Sequence, residues 1–583
     1  MAFVHRQRHA QGAMASLVRE RIAPNPYDLA AFALMLAAGV LLVHGAAGMH
    51  APLAMLAHSP LSLETARLPE YALRTTLRML AAMVASLLFT FTVATLAAKS
   101  HRAALLIVPL LDILQSVPVL GFLTFTVTFF MGIFPGSQLG AECAAIFAIF
   151  TSQAWNMTFS FYQSLRTVPR DLDEVSRGFG FSAWQRFWRL EAPYATPGLV
   201  WNMMMSMSGS WFFVVASEAI TVGNTTVELP GIGSYLARAI GEQRFAAVGW
   251  AVLTMAIVIV LYDQLLFRPI VAWADKFRFE QTAGADRPRS WVYELIRHTR
   301  LLKRLGLPLG WAWQRLMLMR ARRRPRRTLT PVSRKTKRGD RIWASLVLAL
   351  AAWGAWTAFA YARQTLTVDD LLAALGGGLA TLLRVVVLIA LASVIWVPIG
   401  VWIGLRPGVA QRVQPVAQLL AAFPANVLFP FAVIAIVATG ANPNIWLSPL
   451  MILGTQWYIL FNVIAGASAF PTDLREAAAV YRLRSWTWWF RVILPAIFPY
   501  YVTGALTASG GSWNASIVAE LASWGHTHVE AYGLGSYIGK ATAAGDLPRV
   551  VLGIAVMSLF VTLFNRAVWR RLYRFAERRL RLD

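Results

Sequence analysis

Apolar residues along this 583-residue chain come in long blocks, not in the alternation of half-buried strands or the narrow stripe of a soluble helix. Six blocks, near 29–43, 75–98, 103–134, 141–165, 193–217 and 245–267, are followed by six more near 342–361, 371–404, 413–438, 445–468, 493–517 and 549–566. Most reach the roughly 20 residues that a helix needs to cross a bilayer. The pattern predicts an all-α, polytopic membrane protein of two tandem six-helix units. The first block follows a basic stretch (Arg6, Arg8, Arg19, Arg21) and has no small-residue cleavage site close behind it, so it reads as a retained span. Lys99 and Arg102, the stretch from Arg166 to Arg189, and Arg406 and Arg412 all fall in loops on the side of the N-terminus. By the positive-inside bias that side is cytoplasmic, and an even span count brings the C-terminus back to it. The expected organisation is a basic cytoplasmic segment 1–27, a first unit 28–275, a basic cytoplasmic linker 276–341 and a second unit 342–583.

Composition supports lipid as the solvent. The chain is 57% hydrophobic and 14% charged, against about 25% charged in soluble proteins, and its mean hydropathy is +0.53. The net charge is +26, and the linker alone holds 20 Lys/Arg against four acids, including the run RARRRPRR at Arg320–Arg327. A helix resting on an anionic leaflet accounts for this better than a nucleic-acid site, because the charges sit between apolar blocks. One cysteine, Cys143, excludes an intrachain disulfide and a Cys-cluster metal site. His526-x-His528 has no acidic or Cys partner at ligand spacing, so no metal is expected. The nearest approach to a phosphate-binding loop, Gly539-Lys540-Ala541, has Leu534 in place of the first Gly and Ala in place of the hydroxyl residue. The chain therefore carries no ATPase motif, and neither an enzymatic activity nor a cofactor is expected of it.

The two units repeat one another. WNMTFSFYQSLRTVPRDLDE from Trp155 aligns with WYILFNVIAGASAFPTDLRE from Trp457, a shift of 302 residues. The same shift pairs Gly209-Ser210-Trp211 with Gly511-Ser512-Trp513, Glu218 with Glu520, and the Gly-x-Gly-Ser-Tyr segment at Gly231 with that at Gly533. Upstream the shift is 306, pairing Arg78 with Arg384 and Pro118 with Pro424. A direct repeat of six spans gives two halves of one orientation around one central path. Each unit also carries a polar, helix-forming segment on the cytoplasmic side, from Pro169 to Pro193 and from Pro471 to Pro495. Pro followed by Asp171 or Asp473 suits a helix start.

These two segments resemble the EAA loop of binding-protein-dependent ABC importer permeases: E-A-A, three residues, Gly, nine residues, I-x-L-P. The first matches at Glu174, Gly180, Leu190 and Pro193, with Val175-Ser176 for Ala-Ala; the second matches at Glu476, Ala477, Ala478, Val492, Leu494 and Pro495. Arg482 stands where the second Gly belongs, so either the turn there is reshaped or one ATPase contact is weaker. Trp155 and Trp457, Ser217-Glu218 and Ala519-Glu520, and the Gly-x-Gly-Ser-Tyr segments resemble the nitrate/sulfonate/taurine branch, and the fused double unit is similar to its duplicated permease component. The resemblance implies a permease moving a small solute, an anion such as nitrate, sulfonate or taurine, by alternating access. It also implies two copies of an ABC ATPase subunit, one under each loop, and an extracytoplasmic solute-binding protein. The membrane would be the bacterial-type inner membrane.

Polar groups inside apolar spans mark candidate pathway positions, because intramembrane polarity faces protein or water. These are Gln115, Gln153, Trp155, Asn156, Ser210 and Trp211 in the first unit, and Gln456, Trp457, Asn462, Ser512 and Trp513 in the second, with Tyr458 among further candidates. Neutral donors of this kind can hold an anion; small polar residues also let helices pack closely. Arg78 and Arg384 either attract anions, snorkel, or pair with Glu218 and Glu520, to which a structural or gating role is assigned. A secondary transporter is the alternative, since six-plus-six parallel repeats also occur there. It would need coupling carboxylates, yet the second unit has Gln418 opposite Asp112.

Overall fold

The computed structural model describes residues 26–49, 61–116, 123–222, 225–277, 290–299 and 366–579 (471 and 484 excepted), with scattered positions between 307 and 365. The first half comprises α1 (Pro26–Gly48), α2 (Leu68–Lys99), α3 (His101–Ser116), α4 (Leu123–Ile133), α5 (Gln138–Arg166), α6 (Arg170–Gly178) and α7 (Ala192–Glu218). A hairpin of β1 (Ala219–Val222) and β2 (Thr225–Glu228) follows, then α8 (Ile232–Gly241) and α9 (Phe245–Tyr262). After α10 (Trp291–His298) the second half repeats this order: α11 (Val368–Gly404), α12 (Pro407–Ala422), α13 (Phe429–Thr439), α14 (Trp457–Ser468), α15 (Thr472–Val480) and α16 (Leu494–Ala519). It ends with β3 (Leu521–Trp524), β4 (Thr527–Glu530), α17 (Leu534–Ala543), α18 (Leu547–Phe564) and α19 (Arg570–Arg579).

Among the described residues, six continuous helical stretches are long and apolar enough to cross a membrane: Thr65–Lys99, Ala183–Glu218, Phe245–Phe277, Val368–Gly404, Ser485–Ala519 and Leu547–Ala576. Two bent pairs in the second half add candidates. The expected run 413–438 is two helices that meet at 71°. Phe423 is extended ahead of Pro424, as the residue before a proline prefers. The expected run 445–468 bends by 46° between Pro443–Leu453 and α14. Its counterpart α5 is one unbroken helix of 29 residues. The difference is chemical: Pro443, Pro449 and Gly454 stand where the first half has Ala141, Phe147 and Ser152, and proline removes ladder donors and clashes with the preceding turn. The expected span 342–361 lies largely outside the described residues. The duplication extends to wide helical turns: Phe187–Glu191 matches Trp489–Ile493, and Asp263–Phe267 matches Asn565–Trp569. The two hairpins, absent from the all-helical expectation, pair in equivalent registers, Ala219 with Glu228 and Leu521 with Glu530.

Within the first half α5 packs between α2 and α7, and within the second α14 packs between α11 and α16. The halves meet with approximate two-fold symmetry: α12 lies against α9 as α3 lies against α18, and β1 touches α17 as β3 touches α8.

One polar node organises each half. Glu218, at the end of α7, is fully buried. It accepts from Arg78 Nη1 at 2.6 Å, from Thr75 Oγ1 at 2.6 Å and from the Gly233 amide at 2.6 Å. The Ile232 amide donates to Thr75 Oγ1 at 3.0 Å. The second half rebuilds this with Glu520, which accepts from Arg384 at 2.9 Å, Thr381 at 2.8 Å and the Gly535 amide at 2.8 Å. The Gly-x-Gly-Ser-Tyr segments are explained by this approach: a Cβ on Gly231 or Gly533 would run into the glutamate carboxylate. The halves differ in one ligand. Arg78 also binds Glu142, Nε to Oε2 at 2.5 Å and Nη2 to Oε1 at 2.7 Å, whereas Arg384 Nη2 meets Asn444 Oδ1, 302 residues on, at 3.1 Å. Removing one partner of a buried pair leaves a charge without compensation, which costs about 3–5 kcal/mol. Arg78→Met should therefore lower the thermal unfolding temperature of the purified chain far more than Glu142→Asn, which copies the second half. Equal losses would contradict this assignment.

Candidate functional site

The first polar segment folds as α6 behind Pro169, with Asp171 and Glu174 exposed and only Ser176 buried. Asp173 receives Arg177 at 2.7 Å and Arg186 at 3.3 Å. The second folds as α15, with Glu476 and Ala477 exposed and Ala478 buried at the place of Ser176; the side chain of Asp473 lies outside the described residues. Both helices end in one turn geometry. In the first, Gly180 has φ +71°, and the amides of Phe179, Gly180 and Phe181 reach the carbonyls of Val175, Arg177 and Ser176. In the second, Arg482 has φ +52°, and the amides of Tyr481, Arg482 and Leu483 reach the carbonyls of Ala477, Ala479 and Ala478. The turn is thus retained, and Arg482 holds a left-handed conformation that disfavours any side chain.

Each segment leads through its wide turn into the long helix α7 or α16, but the fastening differs. In the first half Glu191 is buried and receives both Lys99 from the end of α2 and Arg186. The second half has Ile493, Leu405 and Trp488 at these three positions, so apolar side chains packed in or against the core replace the ion pairs. Trp188 also takes an edge-on contact from Trp313 of the linker at 5.0 Å, while its counterpart Phe490 stacks on Trp486 at 5.7 Å and is exposed.

Between the halves lies a cavity of about 70 Å³, lined by Ser208, Gly209, Phe212, Phe213, Thr455, Tyr458 and Gly511 among others. A larger cleft of about 240 Å³ sits between α7, α9 and α12; its wall includes Trp211, Tyr262 and the Asp263–Arg268 ion pair (3.0 Å). None of the eleven pathway residues read from the sequence lines the central cavity, and Trp211 lines the larger cleft. Most of their polar atoms join helices to one another. Gln153 accepts from Ser86 at 3.3 Å, Asn156 donates to Ser206 at 3.0 Å, and Ser210 shares a hydrogen bond with Ser152 at 2.9 Å. Ser512 bonds Thr455 at 3.0 Å and Gln456 accepts from Trp396 at 2.9 Å, whereas Asn462 donates within α14, to the Tyr458 carbonyl at 2.8 Å. Trp155 packs on Phe89 and Phe150, Trp457 on Trp396, and Trp513 on Phe560. Gln115 is exposed near the end of α3. The cavity wall comes instead from their neighbours in the repeated Gly-Ser-Trp motif and from the broken start of α14. The repeated glycines were the available signal. Arg78 and Arg384 are bound to Glu218 and Glu520.

One family profile, the inner membrane component of binding-protein-dependent transport systems, matches residues 86–268 and again 396–582, and both stretches include a polar loop segment. The chain belongs to this family. It carries the family's domain twice, as a multi-pass inner membrane protein. Among its relatives, the nitrate import permease protein NrtB of Leptolyngbya laminosa is 29% identical over 189 residues, 32% of this chain and 64% of that protein. The bicarbonate transport system permease protein CmpB of Synechococcus elongatus is 28% identical over 191 residues, 33% of this chain and 65% of that protein. The taurine transport system permease protein TauC of Escherichia coli is 28% identical over 197 residues, 33% of this chain and 68% of that protein. The chain thus spans just under two thirds of the length of the first two.

If Arg482 carries left-handed strain, Arg482→Gly should raise stability by about 1 kcal/mol, and Gly180→Ala should lower it by a similar amount. Thermal unfolding in detergent measures both; a destabilised Arg482→Gly would contradict the strain.

Proposed function

We propose that this chain is the complete membrane-spanning part of an ATP-powered importer, with both halves in one polypeptide and both termini cytoplasmic. An extracytoplasmic binding protein delivers a small anion, and two copies of an ABC ATPase dock on the segments of Glu174 and Glu476. Closure of the ATPase pair pulls on α6 and α15, and the halves rock about the central cavity to give alternating access. The observation that carries this reading is the duplicated, exposed α6 and α15, each joined to a long helix, α7 or α16, that reaches the cavity wall. The matched relatives named for nitrate and bicarbonate support a small anion. A secondary transporter would need a free carboxylate within the spans. Among the described residues, the buried Glu142 and Glu218 are instead held by Arg78 and Glu520 by Arg384, and Glu191 is held by Lys99 and Arg186; the side chain of Asp112 lies outside the described residues.

Co-purification with the ATPase and ATP-driven uptake in reconstituted vesicles test the proposal together. Glu174→Ala with Glu476→Ala should insert normally yet lower uptake roughly tenfold or more, since each loses a charge-assisted contact worth about 1.5–3 kcal/mol. Unchanged uptake in the double variant would overturn the coupling assignment, and solute movement driven by an ion gradient alone would overturn the importer.

A further inference from the structure

We propose that the Tyr458 hydroxyl is the selecting hydrogen-bond donor of a binding site for one small monovalent oxyanion, set at the centre of the path between the halves; this rests on the importer reading above. Three observations converge on it. The central cavity draws its wall from both halves, and its volume of about 70 Å³ is several times the roughly 10–15 Å³ that a single water requires. Its polar side chains are Ser208, Thr455 and Tyr458. Ser208 donates to the Met204 carbonyl at 3.2 Å, and Thr455 is engaged with Ser512 at 3.0 Å. The Tyr458 hydroxyl has no hydrogen-bond partner among the described residues, so one donor is left for a solute.

The second observation is how that hydroxyl comes to be there. Counted 302 residues back, Tyr458 corresponds to Asn156, which lies inside the unbroken α5 and is tied to Ser206 at 3.0 Å. The second half breaks its helix just before Tyr458, at Gly454. A discontinuous helix beside a central cavity is the arrangement in which membrane transporters build solute sites. The site is consequently single, although the scaffold is duplicated.

The third is the close approach across the midline. A Cβ built on Gly209 of the first half would lie 2.8 Å from the Tyr458 hydroxyl oxygen, and no other such neighbour lies within 4 Å of it. Gly209 is therefore the seat that lets the hydroxyl stand in the path. The remaining wall includes Phe212, Phe213 and Phe423, with no carboxylate to receive an ammonium group. A hydroxyl bonded to an ionised oxygen makes a charge-assisted bond, about twice as strong as a neutral one. With one such donor and otherwise apolar walls, the anion is recognised and still released, as passage requires.

The test uses the full complex with its ATPase and binding protein in proteoliposomes, with nitrate, bicarbonate, taurine and glycine betaine as separate probes. Wild type should take up nitrate or bicarbonate. Tyr458→Phe should lower that uptake about tenfold or more, with thermal unfolding unchanged. Gly209→Ala, a favourable change within a helix, should lower uptake similarly by displacing the hydroxyl. Added to Tyr458→Phe it should do no further harm, because the atom it meets is gone. Wild-type uptake with Tyr458→Phe equally active would overturn this site while leaving the importer standing. Uptake of glycine betaine or taurine in place of the small oxyanions would overturn the ligand class. ATP-driven uptake of none of the four would overturn the anion importer and this site together.

Discussion

A glutamate carboxylate buried at the end of α7 and of α16 is the interaction on which the rest of the fold hangs. Inside a bilayer no water satisfies a stray backbone amide, so the chain can turn back after α7 only if something receives the amides at the start of α8. Glu218 receives Gly233, Thr75 receives Ile232, and Arg78 neutralises the carboxylate from α2. Three elements distant in sequence are fixed at one point, and the same point recurs at Glu520. On α2, Arg78 and Lys99 are separated by about 31 Å at 1.5 Å per residue, close to the apolar thickness of a bilayer. One end of the helix is clamped to the hairpin and the other to Glu191 at the start of α7. The helix thereby joins the end that would face the binding protein to the end that would face the ATPase.

Duplication supplies the frame, and local substitutions make the two halves unequal. Glu142 becomes Asn444, the Lys99–Glu191–Arg186 tie becomes Leu405–Ile493–Trp488, and an unbroken α5 becomes a helix broken by Pro443, Pro449 and Gly454. The first half is held by ion pairs at both ends, while the second relies more on apolar packing at the end next to α15. The second half also sends Tyr458 toward Gly209 across the midline.

Much of the frame was legible in the sequence because membrane helices leave long apolar blocks and because a repeat at a fixed shift exposes its own exceptions. The equivalence of Arg78 to Arg384 and of Glu218 to Glu520 left pairing as one of three readings of these arginines, and the structure shows the pairing in both halves. The bends were not legible from hydropathy: Pro424 and Gly454 sit inside apolar runs, and an average over 20 residues does not register a change of direction. Polar residues within a span mark a path or close helix packing alike, and Gln153, Asn156, Ser210 and Ser512 spend their polar atoms on neighbouring helices. The space between the halves is lined instead by glycines and aromatic rings beside them. Arg482 shows the opposite case: the sequence flagged a departure, and the backbone keeps the turn regardless.

The central claim is that one chain supplies both halves of the path and both docking segments. The native mass of the complex purified from membranes, co-expressed with its ATPase, tests this most directly. The account predicts one copy of the 64.5 kDa chain with two ATPase subunits. Two copies of this chain, or one ATPase subunit per chain, would contradict it.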